Sequence, residues 1–364
     1  KGNGIMCNCY NDLKIEIKNI KKIEIKNTIK GIDFCSKDYA FLDENEHLGK
    51  NICLLTLGGS YSYGTNVKGS DVDIRGIASN SVSDILGLTN FEQVVDENTD
   101  TTVYAFNKII NLLMNCNPNV LEMLGCLPEH YLYLNDVGRQ LIENRKLFIS
   151  QKAIHSFGGY AIQQLRRLEN AIARDKLPQS KKEEHILETI NEAMTTFVDR
   201  YEDLHGRIVP FIGKSNKENL DTEVLVNVNL NGYPLRDFTA VINDMKTIVR
   251  DYDKLNGRNH KKDDAHLNKH AAHLLRLYYT CIDIFEKGDI VTYRKNEHDI
   301  LMKTRNGYFM NEDGTYKNEF FDILNDLKNR LEYAKANTSI PKTPDFKKIQ
   351  DSVIAINRKI VQSS

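Results

Sequence analysis

The rhythm of apolar positions changes near residue 150. Before it, short apolar runs alternate with turns. The run 51–57 (Asn-Ile-Cys-Leu-Leu-Thr-Leu) has the character of a buried strand and ends in Gly58-Gly59. Positions 70–77 alternate and read as a second strand, and 100–105 read as a third. Residues 106–115 carry a helical period. Asn117-Pro118 interrupts it, and 120–124 begin another short helix. Beyond 150, helical patterns cover 151–174, 181–204, 236–255, 266–287, 317–337 and 345–361. Short strands are expected within 205–234 and an exposed connection at 256–266. The pattern predicts an α+β fold. An extension (1–32) leads into a domain with a small mixed sheet and helices (33–150), followed by a helical domain (151–364).

The extension holds Lys-Ile-Glu-Ile-Lys-Asn twice, at 14–19 and 22–27. Its alternation suits a half-exposed strand or hairpin, and a charged amphipathic helix nearly as well. Either way the charges read as a solvated face or a guarded edge. The opening residues, 1–6, lack an apolar signal core and are left out of fold expectations.

Composition narrows the classes. Of 364 residues, 41% are hydrophobic and 27% charged, which is globular and not disordered. Lys and Arg number 49 against 50 Asp and Glu, so no global basic field points to non-specific nucleic-acid binding. The seven cysteines are dispersed and form no zinc pattern, which suggests buried thiols in a reducing, cytoplasmic setting. No apolar stretch is long enough for a membrane span.

The candidate chemistry lies in Leu57-Gly58-Gly59-Ser60-Tyr61-Ser62-Tyr63-Gly64-Thr65 and Gly69-Ser70-Asp71-Val72-Asp73-Ile74-Arg75-Gly76-Ile77. Two residues apart on a strand, Asp71 and Asp73 face one side, with Val72 and Ile74 turned to the core. Two close carboxylates repel, and a hard divalent cation with oxygen ligands relieves that repulsion. Upstream, Gly58-Gly59-Ser60 follows a strand. Glycine permits close backbone approach, and a helix starting there would present free N–H groups to phosphate. A lone Asp-x-Asp or a lone Gly-Gly-Ser is usually a solvated strand end or a turn. Together, in this order, they describe a phosphate cradle facing a metal-binding pair. No Walker A loop is present, because no Gly-Lys-Ser/Thr follows. Ser62 lacks the Gly-x-Ser-x-Gly elbow of hydrolases.

The combination resembles the polymerase-beta-like nucleotidyltransferases. The longer string resembles a bacterial and phage group of predicted members, some associated with RNA ligases. That likeness continues through Asn117-Pro118-x-x-Leu121-Glu122 and a His-x-x-Arg at His273 and Arg276. It implies that Gly59 and Ser60 hold the triphosphate of a nucleoside triphosphate such as ATP. It also implies that Asp71 and Asp73 bind two Mg²⁺ ions, with Mn²⁺ as an alternative, and that a third carboxylate binds the catalytic ion. Asp100 is the first choice for that third position, with Asp96, Glu97, Glu92 and Glu122 competing. The implied reaction moves a nucleoside monophosphate to an acceptor hydroxyl, on an RNA end, a protein, a nucleotide or a small molecule, and releases pyrophosphate. A nucleotide-binding sensor on the same fold is the other reading.

Some supporting residues have two readings. Arg75 either holds phosphate or pairs with Asp73. Tyr63 lines the nucleotide pocket or packs the turn. Lys269, His273 and Arg276 fall on one stripe of an apolar helix, where buried basic groups need a partner. A triphosphate would supply one, and an ion pair with Asp283, Glu286 or another helix is the alternative.

Overall fold

The computed structural model describes residues 34–363, apart from 35, 177–180, 182, 186, 189–190, 192–203, 205, 217–221 and 257–262. The twin Lys-Ile-Glu-Ile-Lys-Asn segment therefore lies outside the described residues. So does most of the helix expected at 181–204. The fold is α+β. A five-stranded sheet of order β3-β4-β2-β1-β5 is built from β1 (Ile52–Leu57), β2 (Ile74–Ala78), β3 (Gln93–Asp96), β4 (Thr101–Ala105) and β5 (Tyr131–Leu134). The short helix α1 (Gly59–Tyr63) follows β1, α2 (Phe106–Met114) follows β4 and α3 (Asp136–Glu143) follows β5.

Strand β1 is buried along its whole length, as its unbroken apolar run implies. One core cluster gathers Ile52, Leu55 and Leu57 of β1 with Ile74 and Ala78 of β2 and Val103 and Ala105 of β4. Strands β1 and β2 pair antiparallel, whereas β2 and β4 pair parallel, with Ile74 opposite Thr101. Gly76 of β2 is confined by its neighbour: a Cβ there would meet Leu55 Cδ2 at 2.6 Å and the Leu54 carbonyl at 3.1 Å. The expected second strand is shorter than its alternation suggests. It begins at Ile74, so Asp71 and Asp73 sit just before it rather than within it. Strands β3 and β5 escape the sequence patterns because each has only four residues.

The chain divides into two compact units. The first is Lys1–Ile162, Ala272–Lys303 and Asp322–Ser364, and the second is Gln163–Ala271 and Thr304–Phe321. Helix α4 (Gly159–Lys176), the hairpin β6 (Ile208–Lys214) and β7 (Thr222–Val228), and helices α5 (Leu235–Asn256), α6 (Asp264–Lys287), α7 (His298–Arg305), α8 (Asn318–Asn337) and α9 (Phe346–Ser363) complete the described elements of the helical half. Most of the expected helices are present to within a few residues, and the hairpin fills the stretch where strands were expected. Cys53, Cys116 and Cys281 are buried cysteines. Among the described residues no helix is long and apolar enough to cross a membrane.

Candidate active site

Strand order brings the candidate chemistry to one end of the sheet. The C-terminal end of β1 opens into Gly58 and α1. The N-terminal ends of β2 and β4 carry Asp73 and Asp100 at that same end, because β2 runs antiparallel to β1 and parallel to β4. The backbone continues this pairing past the strands. Gly58 N donates to the Asp73 carbonyl at 2.8 Å, and Ile74 N donates to the Asp100 carbonyl at 3.1 Å.

Gly59 has φ +54°, in the left-handed region that favours glycine. It also has no room for a side chain, since a Cβ there would stand 1.9 Å from Asp73 Oδ2. The Asp73 carboxylate thus lies directly against the glycine-serine turn. Gly59→Ala would combine left-handed strain with a clash against the carboxylate proposed to bind metal. We expect at least a tenfold loss of nucleotide affinity, about 1.4 kcal/mol, read by equilibrium dialysis. Unchanged affinity would separate the turn from nucleotide binding.

Arg75 ties the two aspartate segments together. Its Nη2 donates to Asp73 Oδ1 at 3.0 Å, and its Nη1 donates to the carbonyls of Asp100 at 2.8 Å and Ile74 at 3.0 Å. Of the two expectations for Arg75, the pairing with Asp73 is the one seen. Asp71 is exposed, and among the described residues no side chain pairs with the carboxylates of Asp71 or Asp100. Asp100 has φ +47°, a region that aspartate tolerates better than most residues.

Three of its competitors are engaged elsewhere. Asp96 Oδ1 accepts from the backbone and hydroxyl of Thr99, closing the turn ahead of β4. Glu92 pairs with Lys108 at 2.8 Å. Glu122 is buried against Arg276. Glu97 stays exposed.

The residues fit a divalent cation by donor chemistry, as hard carboxylate oxygens at one sheet end. They do not form a ready-made ligand set: among the described residues no three His, Cys, Asp or Glu side chains converge on one point. Asp73 is turned toward Arg75 instead.

The basic stripe expected to meet a triphosphate is arranged differently. Only Arg276 is fully buried; His273 is half-buried and Lys269 is exposed. Lys269 also belongs to the second unit, apart from the other two. The Arg276 guanidinium pairs with Glu122, contacts His273 Nδ1 at 3.2 Å and lies 3.7 Å from the centroid of the Tyr63 ring. The Tyr63 hydroxyl donates to Glu122 Oε2 at 2.9 Å. Tyr63 therefore packs the turn instead of offering its face to a base. Arg276 finds its counter-charge within the protein, so neither is open to a phosphate. Burial pushes the Tyr63 phenol far above its usual range, with Glu122 adding to the shift and Arg276 opposing it. Burial works against the Arg276 charge, but Glu122 and the tyrosines Tyr63 and Tyr160 together outweigh it and the net shift is upward.

Sequence reasoning missed the segment that closes over this turn. Arg294 N donates to the Tyr63 carbonyl at 3.2 Å. Thr292 reaches Gly125 and Glu122 through its N (3.0 Å) and Oγ1 (2.6 Å). Gly64, with φ +75°, has the Tyr293 ring 2.4 Å from where its Cβ would be. Nothing in the local pattern of 290–294 signals this contact.

Residues 33–194 match the family model RlaP, described as the RNA repair pathway DNA polymerase beta family. This part of the chain is similar to that family. The RlaP match covers the five-stranded sheet, the glycine-serine turn, both aspartates, Asp100 and the whole of α4. It supports a nucleotidyltransferase-like function, and polymerase-beta-like nucleotidyltransferases in general use divalent metals. No curated protein and no solved structure matches the chain.

Proposed function

We propose that the protein is a Mg²⁺-dependent nucleotidyltransferase. It moves a nucleoside monophosphate from a nucleoside triphosphate to an acceptor hydroxyl and releases pyrophosphate. The observation that carries this reading is the register of β2 against β4. It brings Asp73 and Asp100 to adjacent strand ends, with the Asp73 carboxylate pressed onto Gly59.

The turn from Gly59 would receive the phosphates, with the Ser60 hydroxyl as an added donor. Asp71 and Asp73 would hold metal, Mg²⁺ first and Mn²⁺ as the substitute. Asp100 would complete the set and accept the proton of the attacking hydroxyl at its carboxylate. Bound metal supplies charge neutralisation on the transferring phosphoryl group. The protein's own part is positioning and fixed dipoles. The family description favours an RNA end as acceptor.

A second reading, a nucleotide-binding sensor with little turnover, draws on the Asp73–Arg75 ion pair. That contact occupies a carboxylate the reaction needs.

The deciding experiment incubates the full chain with each α-labelled triphosphate and Mg²⁺. It is run with an RNA carrying a 3′ hydroxyl, with a protein extract and alone. The expected result is label on the RNA with release of pyrophosphate, abolished by EDTA and restored by Mn²⁺. Triphosphate binding without transfer in any arm would favour the sensor.

A further inference from the structure

Three motifs far apart in the chain meet in one buried cluster: Tyr63 of the glycine-serine turn, Glu122 of the Asn-Pro stretch and Arg276 of α6. We propose that Glu122 and Arg276 are positioning residues that set the orientation of the phosphate-holding turn through Tyr63. The inference rests on the reading of Gly59 and Ser60 as that turn.

Helix α1 has five residues, too few to hold its own conformation. Its direction must be imposed from outside. One end is imposed by Gly58, whose N–H reaches the Asp73 carbonyl. The other end is Tyr63, one helical turn from Gly59 and on the same face.

Tyr63 is held on every side that matters. Its ring lies against the Arg276 guanidinium, its hydroxyl donates to Glu122 Oε2, and the free arm of that carboxylate takes Arg276 Nη1, which closes a triangle. Its carbonyl accepts from Arg294 N. Glu122 is anchored in turn by Thr292 Oγ1 on its carbonyl. A tilt of α1 would carry the Tyr63 ring with it and break the hydroxyl bond or the stack.

Stability alone does not call for this arrangement. A buried ion pair is often replaced by packed apolar side chains at no loss. What apolar packing lacks is direction. The planar guanidinium and the two carboxylate oxygens admit one orientation of the phenol.

The test is Tyr63→Phe, which keeps the ring and its stack but deletes the hydroxyl bond. Equilibrium dialysis measures affinity for a triphosphate in EDTA, steady-state kinetics measures KM for triphosphate and acceptor, and thermal melting reports the fold. The expected result is about a tenfold weaker triphosphate affinity and a matching rise in its KM. Acceptor KM should stay near wild type, and the melting temperature should fall by a few degrees, because the buried Glu122 Oε2 loses a partner. Combining Tyr63→Phe with Arg276→Lys should cost less than the sum of the two, since both act on one ring.

A lowered melting temperature with unchanged triphosphate affinity would overturn the inference and leave Tyr63 a packing residue. If the wild-type chain binds no triphosphate, the reading of the turn falls and this inference with it. If wild type binds and Tyr63→Phe binds equally, only this inference falls.

Discussion

Asp73→Ala is expected to lower nucleotidyl transfer by about a thousandfold while leaving the chain folded. The magnitude follows from losing a metal ligand, which is worth several kcal/mol of charge stabilisation in the transition state. The small effect on folding follows from the surroundings. The Asp73–Arg75 pair is partly exposed, with side-chain exposures of 29% and 26%, and such pairs contribute about 0–1 kcal/mol. The backbone contact to Gly58 uses the Asp73 carbonyl, which alanine retains. Asp73→Asn keeps the shape and loses the charge, so it should fail nearly as completely. Asp71→Ala tests the other ligand from an exposed position where no fold cost is expected. Activity is read as label transfer beside a thermal melt. Transfer that survives in the Asp71→Ala, Asp73→Ala double variant would remove both aspartates from the chemistry.

Arg276→Met is expected to destabilise the protein by about 3–5 kcal/mol, as removal of one partner from a buried ion pair does. Arg276 is 3% exposed and Glu122 4% exposed, so water cannot replace the lost partner. The methionine would also leave the Tyr63 ring without its cation, a contact worth about 1–2 kcal/mol when desolvated. The double variant Arg276→Met, Glu122→Leu should recover most of the stability, because it removes both charges together. By the positioning argument it should not recover triphosphate affinity. Denaturant unfolding of the single and double variants, with the dialysis measurement alongside, separates the two effects. If the single variant unfolds at the wild-type denaturant midpoint, the buried pair is energetically idle.

The two predictions rest on residues that differ in how openly the chain announces them. Asp73 lies in a short local string, where spacing and turn chemistry point to metal and phosphate. Arg276 also stood out, as a basic residue on an apolar helix face. The sequence offers Asp283, Glu286 or another helix as its counter-ion, whereas the partner in the structure is Glu122, 154 positions away. Asp100 falls between these cases. Its place before a strand is readable, but its nearness to Asp73 depends on the parallel pairing of β2 with β4, which no local period encodes.

The sequence by itself determined the buried strand β1, the glycine-serine turn, the aspartate pair and most of the helices of the C-terminal half. Each of these is governed by neighbours within a turn or two of chain, where apolar period and backbone preference act directly. Only the tertiary structure decided the order β3-β4-β2-β1-β5, the start of β2 at Ile74 and the enclosure of Tyr63 by Glu122 and Arg276. Those depend on which distant surfaces bury one another and on which buried charge finds its counter-charge, and both are settled by packing across the whole unit.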